Sequence, residues 1–254
     1  MRIDTDGFDY AVLNALTAQI DDLEGLRIAV GNRRRILVLP RDQADADGLH
    51  RGLGLTDDDT LVLGPINAVN DGIGALEDQA VKGIERYMRK SPWGPWLASP
   101  ESKGVGAKQL ARLLGATGDP YWHTAEDRPR VVSELWSYCG YAVVDGRAPA
   151  RRKGVQANWS DDARKRAWLI AGSCVKSGGH YREVYDAAKL HYADAVHGSE
   201  CVRCGPSGKP ALPGSLISDG HRHARALRAI AKELLKDLWL ESRRQHGAAD
   251  EAVA

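Results

Sequence analysis

The sequence predicts a mainly α fold: a long N-terminal helical hairpin, then a helical domain that contains a helix-hairpin-helix and a small zinc knuckle. Three observations predict it. Apolar residues recur at three- and four-residue steps through most of the chain. Prolines and glycines gather in short connectors between those periodic stretches. And Gly104-Val105-Gly106 leads straight into Ala107–Gly115, where Leu110, Ala111, Leu113 and Leu114 hold helical spacing.

Composition sets the limits. A chain of 254 residues with 43% hydrophobic and 27% charged residues is globular, with room for one or two domains. The formal net charge of +1 gives the whole chain no pull on nucleic acid, so any such binding must come from local clusters. No apolar run reaches the roughly 18 residues that mark a membrane span. The start of the chain lacks the basic and apolar regions of a secretory signal. Four cysteines do not make a disulfide framework at this length, and a cytoplasmic setting is the expectation.

In chain order, residues 8–39 read as one long helix, with Leu13, Leu16, Ile20, Leu23 and Val30 on one stripe and a bend or break expected at Gly25 and Gly31. Arg33, Arg34 and Arg35 read as a solvated helix end or as a phosphate contact. Residues 40–65 form a Gly- and Asp-rich connector. Its Asp57-Asp58-Asp59 run cannot aim three carboxylates at one ion and reads as loop or helix N-terminal charge. A second helix is expected over 66–90, stopped by Pro92. Residues 1–92 thus form a helical hairpin suited to coiled-coil pairing, and a homodimer through these helices is expected. Trp93 and Trp96 then read as packing anchors.

The next region, 93–244, carries the candidate chemistry. The two hairpin glycines permit a tight turn and close backbone approach, and the helix after them opens with free N–H groups and a positive dipole end. Gly104, Val105 and Gly106, with Lys108 and Arg112 on the helix, thus form a candidate phosphate site; a plain turn between helices fits the same residues. Gly118-Asp119-Pro120 ends that helix. Residues 130–138 form another, with Val131, Leu135 and Trp136 inward, and Cys139 after it reads as a small buried hydrophobe. The most basic stretch follows, with Arg147, Arg151, Arg152, Lys153, Arg164 and Lys165 as candidate DNA-binding residues. Ser160 is the expected N-cap of the helix from Ala163 to Lys176.

After a short helix over 181–192 comes His197-x3-Cys201-x2-Cys204-Gly205. Two thiolates at this spacing can reach one tetrahedral ion while the backbone turns around it. The expected set is His197, Cys201, Cys204 and His221, with His223 and His191 as alternates for a histidine. Structural zinc is the leading reading, beside a free dithiol and a redox pair. The last helix is expected over 221–244, with Arg222, Arg225, Arg228, Lys232 and Lys236 opposite its apolar face. Residues 245–254 are expected to be a disordered tail.

The order of these elements resembles a known family. The G-V-G hairpin with its L-A-R-L-L helix and G-D-P stop, the L-W-S-Y-C-G-Y helix end, the R-K-R-A-W-L-I-A helix and the closing A-L-R-x-x-A-K-x-L-L-x-D-L-W helix are similar to the C-terminal transposase domain of DEDD-type, bridge-RNA-guided insertion-sequence transposases. The resemblance covers roughly residues 66–244. It implies a helical domain that binds DNA, branched or RNA-containing forms included, helps the protein assemble and carries a serine nucleophile. Two departures narrow what it implies. Asp4, Asp6 and Asp9 lack the strand that the family's RuvC-like nuclease domain needs. The family's serine position falls at Val144-Asp145-Gly146, with no serine between Ser137 and Ser160. The Cys201/Cys204 insertion is not general in the family. The expectation is therefore a sequence-tolerant DNA-binding protein without catalysis of its own. The alternatives are an active transposase or recombinase working as an oligomer or with a partner, and a helical interaction protein with no nucleic-acid role.

Overall fold

The computed structural model describes residues 8–253 except 145, 147, 152 and 206–208, with side chains described up to residue 247. The expectations on Asp4, Asp6, Asp145, Arg147 and Arg152 lie outside the described residues. Among the described residues the protein is mainly helical, with eight α-helices and one two-stranded ribbon. No helix among them is long and apolar enough to cross a membrane. The chain divides into two compact units, Ala15–Tyr87 and a second built from Met1–Asn14 with Met88–Ala254.

The first unit comes from α1 (Tyr10–Val38) and α2 (Thr60–Lys90), which both run beyond it. Its apolar stripe buries Ile20, Val30, Leu63, Ile73 and Ile84. Arg27 Nε donates to Glu77 Oε2 at 2.6 Å and Arg34 Nε to Asn67 Oδ1 at 2.6 Å, which tie the helices along their length. The helix α1 continues through Gly25 and Gly31 without a break. A glycine costs a helix only about 1 kcal/mol, less than the packing of the stripe returns. The helix α2 starts six residues earlier than expected and keeps Pro65 inside it; so near the start, proline removes one bond of the ladder without stopping it. Asp59 Oδ2 accepts from Thr56 N at 2.8 Å just ahead of α2, a helix N-terminal role for that acid.

The second unit holds α3 (Gly94–Ala98), α4 (Ala107–Thr117), the ribbon β1 (Trp122–His123) with β2 (Arg128–Pro129), α5 (Val132–Tyr138), α6 (Asp161–Ser177), α7 (His180–His191) and α8 (Asp219–Val253). The spine is α8: α5, α6 and α7 each pack on it, and α4 packs on α6. Leu110, Leu113, Leu114, Leu135, Ile170, Ile230, Leu234, Leu235 and Leu238 fill the core, each such side chain stabilising the fold by roughly 1.5–3 kcal/mol when buried. Trp93 is fully buried and meets Trp96 edge-on at 6.3 Å, so both are anchors. Trp93 Nε1 donates to Tyr10 Oη at 3.3 Å and Asn14 Nδ2 to Gly115 O at 2.7 Å. The first turns of α1 therefore belong to this unit, and compactness does not divide at residue 92.

Three further expectations change. Val131 is 58% exposed because it precedes α5 as its N-cap, while Leu135 alone of the expected inward set is fully buried. The tail is helical: α8 continues to Val253, and Gln245 Nε2 donates to Pro92 O at 3.2 Å. The basic residues of α8 serve the fold. Arg228 donates to Gly140 O and Ala142 O at 3.3 and 2.6 Å, Lys232 lies 4.0 Å over the Trp136 ring, and Lys236 pairs with Glu233 at 3.0 Å.

Candidate metal centre and hairpin surface

The loop between α7 and α8 runs out and back as a narrow antiparallel pair. His197 N donates to Ser215 O at 2.9 Å, Gly214 N to His197 O at 2.7 Å, and Cys201 and Ala211 exchange two backbone bonds at 3.0 and 2.9 Å. The pairing puts His197 and Cys201 on one side. Cys204 follows a turn closed by Cys204 N to Cys201 O at 3.3 Å. A Cβ at Gly205 would fall onto the carbonyl of Lys209, so only glycine closes the loop after the second thiol. His221 arrives from the first turn of α8, whose N-terminus Lys189 holds through Asp219 at 2.6 Å.

Four residues converge there: His197, Cys201, Cys204 and His221 present ligand atoms all within 4.8 Å of one another. Nδ1 of His221 lies 3.3 Å from Cys204 Sγ and 3.9 Å from Cys201 Sγ. Metal bonds of about 2.3 Å to sulfur and about 2.0 Å to nitrogen place tetrahedral ligand atoms about 3.3–3.8 Å apart. The 3.3 Å separation lies in that range and the 3.9 Å one just beyond it. His197 is 4% exposed and its Nε2 is buried with no hydrogen-bond partner, a cost that a metal bond removes. His223 is turned away, 2.7 Å from Tyr185 Oη, and His191 packs edge-on against Tyr192, so neither alternate joins the group.

The surroundings favour the metal-binding protonation states. Burial works against the Cys204 thiolate, but hydrogen bonds from Ser218 and Cys201 and the charge of Arg225 hold its pKa below the ordinary thiol range. Burial, with the charges of Arg225, His197 and Arg203, keeps His221 below its usual value, so its ring is neutral and free to ligate. Ser218 Oγ sits 3.1 Å from Cys204 Sγ and accepts from His221 N at 3.2 Å, which orients both. This cluster can bind a metal ion, with every tetrahedral position filled by protein.

The hairpin lies elsewhere in the same unit. Val105 N donates to Ser102 O at 2.8 Å and Leu110 N to Gly106 O at 2.9 Å. Gly104 has φ +95°, and a Cβ on it would stand 2.8 Å from Cys174 Cα and 3.1 Å from Ser177 Cβ. The first glycine is thus required by contact with α6. Gly106 is different. It has an ordinary φ of −78°, open space around it, and caps α4 without a side-chain acceptor. The helix α7 also begins without a side-chain cap, at Gly179, φ +85°. Exposed Lys103, three residues before the N-cap of α4, packs its side chain on the N-cap of α7, its Cδ 3.2 Å from where a Gly179 Cβ would stand.

Of the other candidate DNA-binding residues, Val105 is buried, Lys108 is half-buried, and Lys153 and Lys165 are exposed. Arg151 is exposed and paired with Asp161, and Arg164 lies 5.2 Å over the Trp159 ring. Arg112 is a correction: at 3% exposure it lies inside, because the α4 face that carries it packs into the core. Sequence pattern named Lys165 but passed over Lys103 and the residues that share the exposed face of α6 with Lys165, namely Trp168, Leu169 and Lys176. An aromatic between lysines on a helix was the available signal. No family model, curated protein or solved structure matches the chain.

Proposed function

We propose that this protein binds nucleic-acid backbones without regard to sequence, and that zinc in the Cys/His cluster is a structural part of it. The observation that carries the reading is a pair of helix N-termini without side-chain caps, those of α4 and α7, with exposed Lys103 three residues before the first N-cap and packed on the second. Helix N-termini offer N–H groups and positive dipole ends to phosphate oxygens, and lysine adds a full charge. The exposed Lys165, Trp168 and Lys176 supply further charge and a stacking surface. The order of elements supports kinship with transposase DNA-handling domains. The reading covers binding and not strand exchange, since no serine occurs between Ser137 and Ser160. Zinc is favoured over other ions by the two-thiolate, two-imidazole donor set. Exposed Leu26, Ile28, Val69 and Leu76 on the α1–α2 hairpin support pairing of two copies.

Fluorescence anisotropy with duplex, branched and single-stranded DNA over a salt series tests the reading. Affinity should fall steeply with salt, and Lys103→Glu and Lys165→Glu should each weaken binding to all sequences and flatten the slope. A protein that gives no salt-dependent binding to any of these DNAs is not a backbone binder.

A further inference from the structure

The second unit contains another group of metal-type side chains, away from the thiols. His180 is the first residue of α7; Glu233 and Asp237 stand one turn apart on α8 and so share a face. One ligand atom from each lies within 4.8 Å of the others, and His180 Nε2 is 4.0 Å from Glu233 Oε1. We propose that His180, Glu233 and Asp237 form a second, exchangeable site for a divalent ion of the manganese-to-zinc class.

Three observations carry this. First, the site draws on two helices that pack closely on each other, so its geometry is set by the core rather than by loops. Second, the carboxylates are not balanced. Lys236 Nζ neutralises Glu233 at 3.0 Å, whereas no lysine or arginine among the described residues forms an ion pair with the half-buried Asp237. Two like charges at this helical spacing repel, and a cation between them removes that cost. Third, Asp237 is already oriented. Tyr181 Oη donates to Asp237 Oδ2 at 2.9 Å, and Tyr181 is fully buried, so the carboxylate is fixed by a neighbour behind it as metal-binding carboxylates are.

The donor set decides the class of ion. One imidazole and two carboxylates with no sulfur suit Mn²⁺, Fe²⁺, Co²⁺ or Zn²⁺ and not the soft ions that thiolates select. Three protein ligands leave positions for water or another oxygen donor, so this ion exchanges, unlike one enclosed by four. Its place in the fold is one residue beyond Gly179, which packs against Lys103. The inference does not rest on nucleic-acid binding.

The test uses the full chain, zinc-loaded, titrated with Mn²⁺ alone and read by the loss of the free-ion electron paramagnetic resonance signal. Manganese avoids thiolate sites, so the Cys/His cluster stays silent. The expected result is saturable uptake of about one equivalent, weakened at least about tenfold in His180→Ala and in the near-isosteric Glu233→Gln. Tyr181→Phe should weaken uptake by a smaller factor, and Glu183→Gln, an exposed acid on the same helix, should leave it unchanged. Circular dichroism confirms that each variant is folded. No saturable uptake, or uptake that persists at full strength in both folded His180→Ala and Glu233→Gln, overturns the site.

Discussion

His246 Nε2 lies 2.7 Å from Asp119 Oδ2, joining the turn after α4 to the far part of α8. The same carboxylate accepts from Ser242 Oγ at 2.6 Å and from Tyr121 N and Trp122 N at 2.9 and 3.0 Å. His246 also stacks on the Trp122 ring at 5.6 Å, so the pair closes one end of the second unit.

That closure should depend on acid. Burial opposes ionisation of Asp119, but the bonds from His246 and Ser242 outweigh it and hold its pKa below 3.8. A carboxylate depressed on folding stabilises the fold fully above its unfolded value and loses that contribution as pH falls through the folded one. Asp119→Asn is expected to cost on the order of 2 kcal/mol at neutral pH. In thermal melts the gap between variant and wild type should be widest near neutrality and narrow toward pH 3. A gap that is the same at both would show that the charge contributes nothing.

Metal removal should unfold locally and measurably. Protein purified without chelator should carry about one zinc per chain. Chelation, or Cys201→Ser with Cys204→Ser, should lower the melting temperature and expose the loop around 198–216 to protease. Less than about half an equivalent of zinc, with no change on chelation, would falsify the metal reading.

The two hairpin glycines should separate stability from binding. Gly104→Ala meets Cys174 at a positive φ and should cost on the order of 3 kcal/mol, read as a melting temperature lower by several degrees. Gly106→Val meets open space and should fold normally while weakening DNA binding, because the added side chain stands where a phosphate would approach. A Gly106→Val protein with unchanged affinity would remove Gly106 from the binding surface.

Arg228 should behave as a structural residue. Its two bonds reach the carbonyls of Gly140 and Ala142 and its guanidinium lies 5.3 Å over the Tyr141 ring. Arg228→Ala is expected to cost about 1.5–3 kcal/mol and to leave the salt slope of DNA binding unchanged. A flatter slope would place Arg228 on the binding surface.

How much the sequence revealed depended on the range of the interaction. Spacing of apolar residues located the helices, because each helix reports its buried face through its own neighbours. The Cys201/Cys204 group was legible for the same reason: two ligands and the closing glycine lie within five residues. His221 was nameable only because α8 could be placed nearby. Where partners sit far apart in the chain, local pattern carried no signal. Nothing near Asp119 announces His246, and nothing near His180 announces Glu233 and Asp237. Arg112 misled because charge marks a residue as exposed unless the packing of its helix is known. The short ribbon of Trp122–His123 with Arg128–Pro129 went unseen since two residues a side are too few to show alternation.

The contact between Gly104 and Cys174 has a practical use. The Cys174 thiol is fully buried, its pKa is pushed up to about 12 by burial, and the hairpin closes over it. Lifting the hairpin from α6 should open it to alkylating reagents. Its labelling rate under native conditions therefore clocks how often that lid opens. If a bound ligand rests on the hairpin, it should slow the clock, giving a readout of occupancy that needs no label on the ligand.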